Sequence, residues 1–303
     1  KNDVKSFFDT GVTTNNNIAI SHANEKSNIR ASFSNQITNG VVPNSNLTRN
    51  TFSINGGAKL NERLKIDGMM NYTGTKGFNR PEQGYGDNSL AQKFFQWGQR
   101  QLDYNELKSY INQDGTQRTW NRSSYDDPTP MYSDNPYWTV YKNYSDDKRN
   151  RFFGNVKLQY NITDDLFVVG NAYGDQYDFK IRERVAVHSQ AQSSYSETNF
   201  QNAEYNFEAR LHYNKRFNNF SLNSFAGVNK RRVTYSELGG FTSGGLILPN
   251  LYNLANSVNP SQSYNRQSKM TVNSIYGMVS LGYRDLLFVE GTIRKDYFST
   301  VPE

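Results

Sequence analysis

Apolar and polar positions alternate with a period of two along most of this chain, and residues 271–296 show the pattern most clearly. In TVNSIYGMVSLGY, Ile275, Val279, Leu281 and Tyr283 share one side, while Ser274, Tyr276, Met278 and Ser280 share the other. After the turn Arg284-Asp285-Leu286, Leu287, Val289 and Ile293 oppose Glu290, Thr292, Arg294 and Asp296. A strand sorts side chains this way and a helix does not. The same pattern predicts strands over 15–23, 28–37, 51–60, 64–74, 152–162, 166–179, 203–214 and 220–232, which with the last two makes ten.

The connections alternate in length. Those near 24, 61, 163, 217 and 284 are short turns, and those near 38, 76, 187 and 232 are long. Short turns on one side and long loops on the other predict an all-β, antiparallel transmembrane β-barrel, with apolar faces toward lipid and polar faces toward a lumen. A soluble sandwich has no reason to sort its loops so. Two extracellular loops stand out, at about 76–148 and 232–268. The first is far longer than ordinary connections, which marks it as functional or as a separate cap. Within it, 90–112 place Leu90, Phe94, Trp97 and Leu102 near helical spacing behind the capping pair Asn88-Ser89, whereas DPTPMYSDNPYW (127–138) reads as extended and turn-forming.

Composition supports a barrel over disorder. Apolar residues are only 35% and mean hydropathy is -0.82, yet aromatics reach 14%, with 21 Tyr and 19 Phe. Barrel strands average a low hydropathy because half their side chains are polar. No run approaches the ~20 apolar residues of a membrane-crossing helix. Cysteine is absent, which removes thiolate sites, and the net charge of +6 is scattered, so nucleic acid is not an expected partner.

Candidate chemistry is sparse. Glu204, Glu208, Arg210, Tyr276, Glu290 and Arg294 fall on polar faces and are expected to face the lumen, pairing across strands rather than catalysing. The histidines, His22, His188 and His212, lack metal-ligand spacing, and the acidic pairs Asp126-Asp127 and Asp146-Asp147 lack that of a calcium loop. No catalytic, cofactor or metal residue is expected, and with no nucleophile elbow the chain does not read as an enzyme. Trp97, Trp120, Tyr137 and Trp138 concentrate amphipathic rings in the long loop, which suits an interface, ligand stacking or packing at the barrel mouth.

Several stretches, in order, resemble one family: VKSFFDTGVTTNNNIAIS, FFQWGQRQLD, DNPYW, FFGNVKLQYNITDDL, GGLILPNLYNLANS and SIYGMVSLGYRDLLFVEGTIRKDYFST. They look like the first half of the barrel of SusC/RagA-type TonB-dependent transporters of Bacteroidota. That resemblance implies a 22-stranded barrel around a plug domain, in the outer membrane of a Gram-negative bacterium. It also implies a SusD-like surface lipoprotein as lid, energy from TonB through a plug region not present here, contact with outer-membrane lipid, and a glycan or peptide substrate. Residues 1–14 would connect a missing plug to the first strand, 15–303 would be the first part of the barrel, and further strands would follow. Two alternatives are a SusC-like structural subunit of another outer-membrane assembly and a self-contained ten-stranded outer-membrane enzyme.

Overall fold

Alternation over ten long runs produces ten strands in the computed structural model, which describes residues 3–300. They are β1 Val12–Ala23, β2 Ser27–Asn39, β3 Asn46–Lys59, β4 Leu64–Phe78, β5 Ser145–Asn161, β6 Leu166–Val185, β7 Ser194–Phe217, β8 Phe220–Leu246, β9 Ser257–Tyr283 and β10 Leu287–Phe298. Each pairs antiparallel with its neighbours in sequence, giving one sheet in the order β1 to β10, with β1 and β10 as its edges.

The register carries the apolar side chains across the sheet in rows. Ile18, Phe33, Phe52, Tyr72 and Phe152 are successive partners from β1 to β5. Ile66, Leu158, Gly170, Ala209, Val228 and Ile275 continue the same face from β4 to β9. This face is turned outward: Val228 and Ile275 are 54% and 56% exposed, whereas Asn171 and Ser274 on the opposite face are 6% and 5% exposed. A soluble sheet buries its apolar face; this one buries its polar face, the arrangement a lipid-facing barrel wall requires. On three strands the belt is bounded at one end by a ring near the short turns and spans nine residues: Phe152 to Tyr160, Tyr205 to Tyr213, and Ile275 to Tyr283. That is the length of a tilted membrane-crossing strand.

All five short turns lie at one end of the sheet and every longer connection at the other. Two expectations change here. The loop expected over 232–268 is mostly strand: β8 continues to Leu246, β9 starts at Ser257, and only 247–256 connect them. In these outer stretches the ladder continues without the apolar alternation that makes a strand legible. Likewise Asp146 and Asp147 lie in β5, not in a loop.

The segment 79–144 folds into a cap at the long-connection end. Its core contains Leu90, Tyr104, Leu107, Trp120, Tyr137 and Val140, joined by Val42 from the β2–β3 connection and by Phe7. Phe7 sits on a single turn, Val4–Phe7, with its ring 5.0 Å from Phe94 and 4.8 Å from Tyr137. β1 therefore enters the sheet from the cap end, and residues 4–7, within the stretch read as a connector, pack in the cap. The helix expected over 90–112 is also broken: Leu90–Gln92, capped by Ser89 as expected, runs into a wider turn over Lys93–Trp97, and a further short turn follows at Glu106–Lys108. The extended reading of 127–138 fails at its end, because Asn135 caps and Pro136 opens a helix over Pro136–Lys142. Val301–Glu303, where a missing continuation was expected, lie outside the described residues.

Candidate functional site

Two places gather functional side chains: the polar face of the sheet and the cap above it. On the polar face, the register sets Arg210 on β7 beside Gly227 on β8, then Tyr276 on β9, then Arg294 on β10. Gly227 is the bridge. Its missing side chain lets Tyr276 lie across β8 and donate its hydroxyl to Glu208 Oε1 two strands away; a Cβ there would stand 2.7 Å from Tyr276 Cζ and 2.9 Å from Arg210 Cγ. Glu208 Oε2 also accepts from Asn171 Nδ2 at 2.9 Å and lies 3.5 Å from Arg210 Nε. Arg294 stacks over the Tyr276 ring at 5.4 Å, donates to Asp296 at 3.0 Å and to Ser274 Oγ at 3.1 Å.

The six residues expected on the lumen side thus share one face, though not one cluster. Glu208, Arg210, Tyr276 and Arg294 are joined in the network just described. Glu204 is held apart by a forked pair with Arg231, at 2.6 and 2.8 Å. Glu290 shares the face by register, opposite Ser280, with no side-chain partner among the described residues. Every acid in the network is matched by a neighbouring base or hydroxyl, an arrangement that suits a wet wall.

The four rings expected at a loop interface or ligand site divide differently. Trp120 is buried, with Nε1 donating to the Ser133 carbonyl at 3.1 Å. Tyr137 is buried in the cap core, and Trp138, 2% exposed, donates from Nε1 to Ser189 Oγ at 2.8 Å. Only Trp97 is partly open, stacked on Tyr132 at 5.1 Å. Three of the four are therefore packing residues: a ring sealed in a core presents no face to a ligand or partner. Phe95, 93% exposed, was not singled out because it lies off the apolar spacing.

The DNPYW stretch is the cap's fastener. Asn135 Oδ1 accepts from the Tyr137 amide at 2.9 Å, and its Nδ2 donates to the Leu107 and Arg118 carbonyls at 3.0 and 3.1 Å. Asp134, 2% exposed, accepts from Gln117 Nε2 at 2.7 Å, Asn143 Nδ2 at 3.1 Å and the Gln190 amide at 2.6 Å. Asn143 Oδ1 in turn accepts from the Ala186 amide and Ser189 Oγ, both at 2.9 Å. The connection 186–193 is thereby tied to the cap. Lys93, also 2% exposed, donates to Ser133 Oγ at 3.3 Å. Burial pushes the Lys93 ammonium down and the Asp134 carboxyl up, while each charge partly offsets the other's shift. In the sequence, the Asn135-Pro136 pair is the available signal for this helix start.

No protein-family model matches the chain, and no curated protein matches it in sequence. Solved structures do. The RagAB peptide transporter superposes with a TM-score of 0.74 at 14% identity, over 95% of this chain and 32% of that one. Its importer form in the open-open state gives 0.74 at 15%, over 98% and 32%. The ferripyoverdine receptor of Pseudomonas aeruginosa gives 0.58 at 8%, over 95% and 36%. The chain spans about a third of the length of the transporter chains it matches. Its fold is that of part of an outer-membrane, TonB-dependent β-barrel, and the proteins that share it are transporters and receptors rather than enzymes.

Proposed function

We propose that this chain forms part of the wall and outer mouth of an outer-membrane importer for peptides or oligosaccharides. The inversion of the sheet carries the reading: an exposed apolar belt about one membrane thick backs a polar face cross-linked by Glu208, Tyr276, Arg294 and Asp296. Such a wall has a wet side that a solute can pass and a dry side that lipid covers. The cap stands at the end with the longer connections, where a solute would arrive. In this reading the polar face lines the lumen, a SusD-like surface lipoprotein covers the mouth, and TonB supplies energy through a plug. Similarity to peptide importers favours a peptide over a glycan.

The test is uptake by cells. A deletion strain is supplied with defined labelled peptides and oligosaccharides, with and without an intact TonB system, and the full-length protein is used for pull-down. Loss of TonB-dependent uptake of one class, with a lipoprotein recovered, supports the proposal. Unchanged uptake of every solute, with recovery of a different outer-membrane assembly, would replace it with the structural-subunit reading.

A further inference from the structure

A cavity of about 530 Å³ lies between the cap and the ends of β5, β6 and β7. Its charges do not balance. Asp147 is paired with Arg80, and Asp146 with both Arg182 and Arg184. Asp134 is satisfied by Gln117, Asn143 and the Gln190 amide, and the Lys93 charge acts on it. Glu82, Asp87 and Glu183 line the same cavity, and among the described residues no cation pairs with any of them. Glu82 feels the other two: burial, then the charges of Glu183 and Asp87, hold its carboxyl above its ordinary range, while Lys93 and a hydrogen bond from the Asn88 backbone pull it back. A second observation points into the same space. Thr139 lines the cavity at 3% exposure, and its hydroxyl has no partner among the described residues. A buried hydroxyl without a partner is uncommon and calls for a group that supplies one.

A bare metal ion does not fit, because among the described residues no three acidic or imidazole groups stand close enough to ligate one. A larger, hydrogen-bonding cation does: an ammonium or guanidinium has several donors and can reach separated carboxylates. The location agrees. Asp147, Phe179, Ile181 and Glu183 lie on the polar face of β5 and β6, so the cavity opens on the side that a solute would cross. We propose that it is a subsite for a cationic group of the imported solute, a lysine or arginine side chain or a free amino terminus. This deepens the importer reading and rests on it.

The experiment uses the full-length protein with its native partner in detergent, and two probes: Ala-Lys-Ala-Arg-Ala and Ala-Glu-Ala-Glu-Ala. Binding is measured by calorimetry for the natural protein and for the triple variant Glu82→Gln, Asp87→Asn, Glu183→Gln. All three positions are exposed, so the fold tolerates the change, which circular dichroism and gel mobility verify. The expected result is binding of the basic peptide only, weakened about tenfold in the variant, as loss of three screened charge contacts implies, and weakened by raised salt in the natural protein. Equal binding of both peptides, or identical affinity in the variant, would overturn the subsite. If the basic peptide binds through these residues but deletion leaves its uptake unchanged, the importer reading fails and the subsite stands. If it is imported with no dependence on them, the subsite fails and the importer reading stands.

Discussion

Placing arginine at Val279 and, separately, at Met278 tests which face meets lipid. The two are adjacent on β9, at nearly the same depth, and point to opposite sides. Val279 is 50% exposed and lies midway along the belt between Ile275 and Tyr283. Four residues from either end at roughly 3.3 Å each, on a strand tilted about 40°, put it about 10 Å below each interface. An arginine there can reach only part of that distance, and the cost at the midplane of a barrel wall is about 2 to 4 kcal/mol, or roughly 30- to 1,000-fold in the folding equilibrium. Met278 pairs with Phe225 and Thr292 on the polar face, where an added cation stays on the wet side of the sheet. Its cost should stay below about 1 kcal/mol. The assay is urea titration of the full-length protein in lipid vesicles, followed by heat-modifiable gel mobility. Equal losses at the two positions, or a larger loss at Met278, would refute the assignment of faces and the membrane reading built on it.

Other consequences are local. Gly227→Ala should cost about 1 to 3 kcal/mol by pushing Tyr276 off Glu208, and adding Tyr276→Ala should recover most of it; if the second change only adds to the loss, the bridge is not the reason for the glycine. Asn135→Ala removes the helix cap and strands two carbonyls. A loss of about 2 to 4 kcal/mol confined to the cap is expected, seen as faster hydrogen exchange in 79–144 with the strands unchanged. Tyr137 is buried with no hydroxyl partner among the described residues, and burial, followed by Asp9 and Tyr141, pushes its pKa up to about 12. Because the folded value lies above the unfolded one, this group's contribution is complete below pH ~10 and is lost as pH rises toward 12. Tyr137→Phe should leave the cap as stable or slightly more so at neutral pH and remove that alkaline loss; a destabilised variant would show that the hydroxyl has a partner.

Legibility followed the solvent. Where one side of a strand meets lipid and the other water, each residue carries information about its face, and the faces of Ile275, Val279, Glu208 and Arg294 could be read without coordinates. The upper halves of β8 and β9 have no such asymmetry, and 232–246 and 257–268 read as loop although they are ladder. In the cap, clustered rings showed that something was built there, but a core and an interface use the same residue types. Only packing distinguished Trp120, Tyr137 and Trp138, which are sealed, from Phe95, which is not.

By itself, then, the order of residues determined the ten strands, their up-and-down succession and the sorting of short and long connections. All three depend on local periodicity and turn chemistry. Tertiary structure alone decided that Phe7 belongs to the cap, that Tyr276 reaches Glu208 over Gly227, and that Asp134 joins two distant connections. These contacts join residues far apart in the chain, and no local pattern constrains which distant partner a side chain will find.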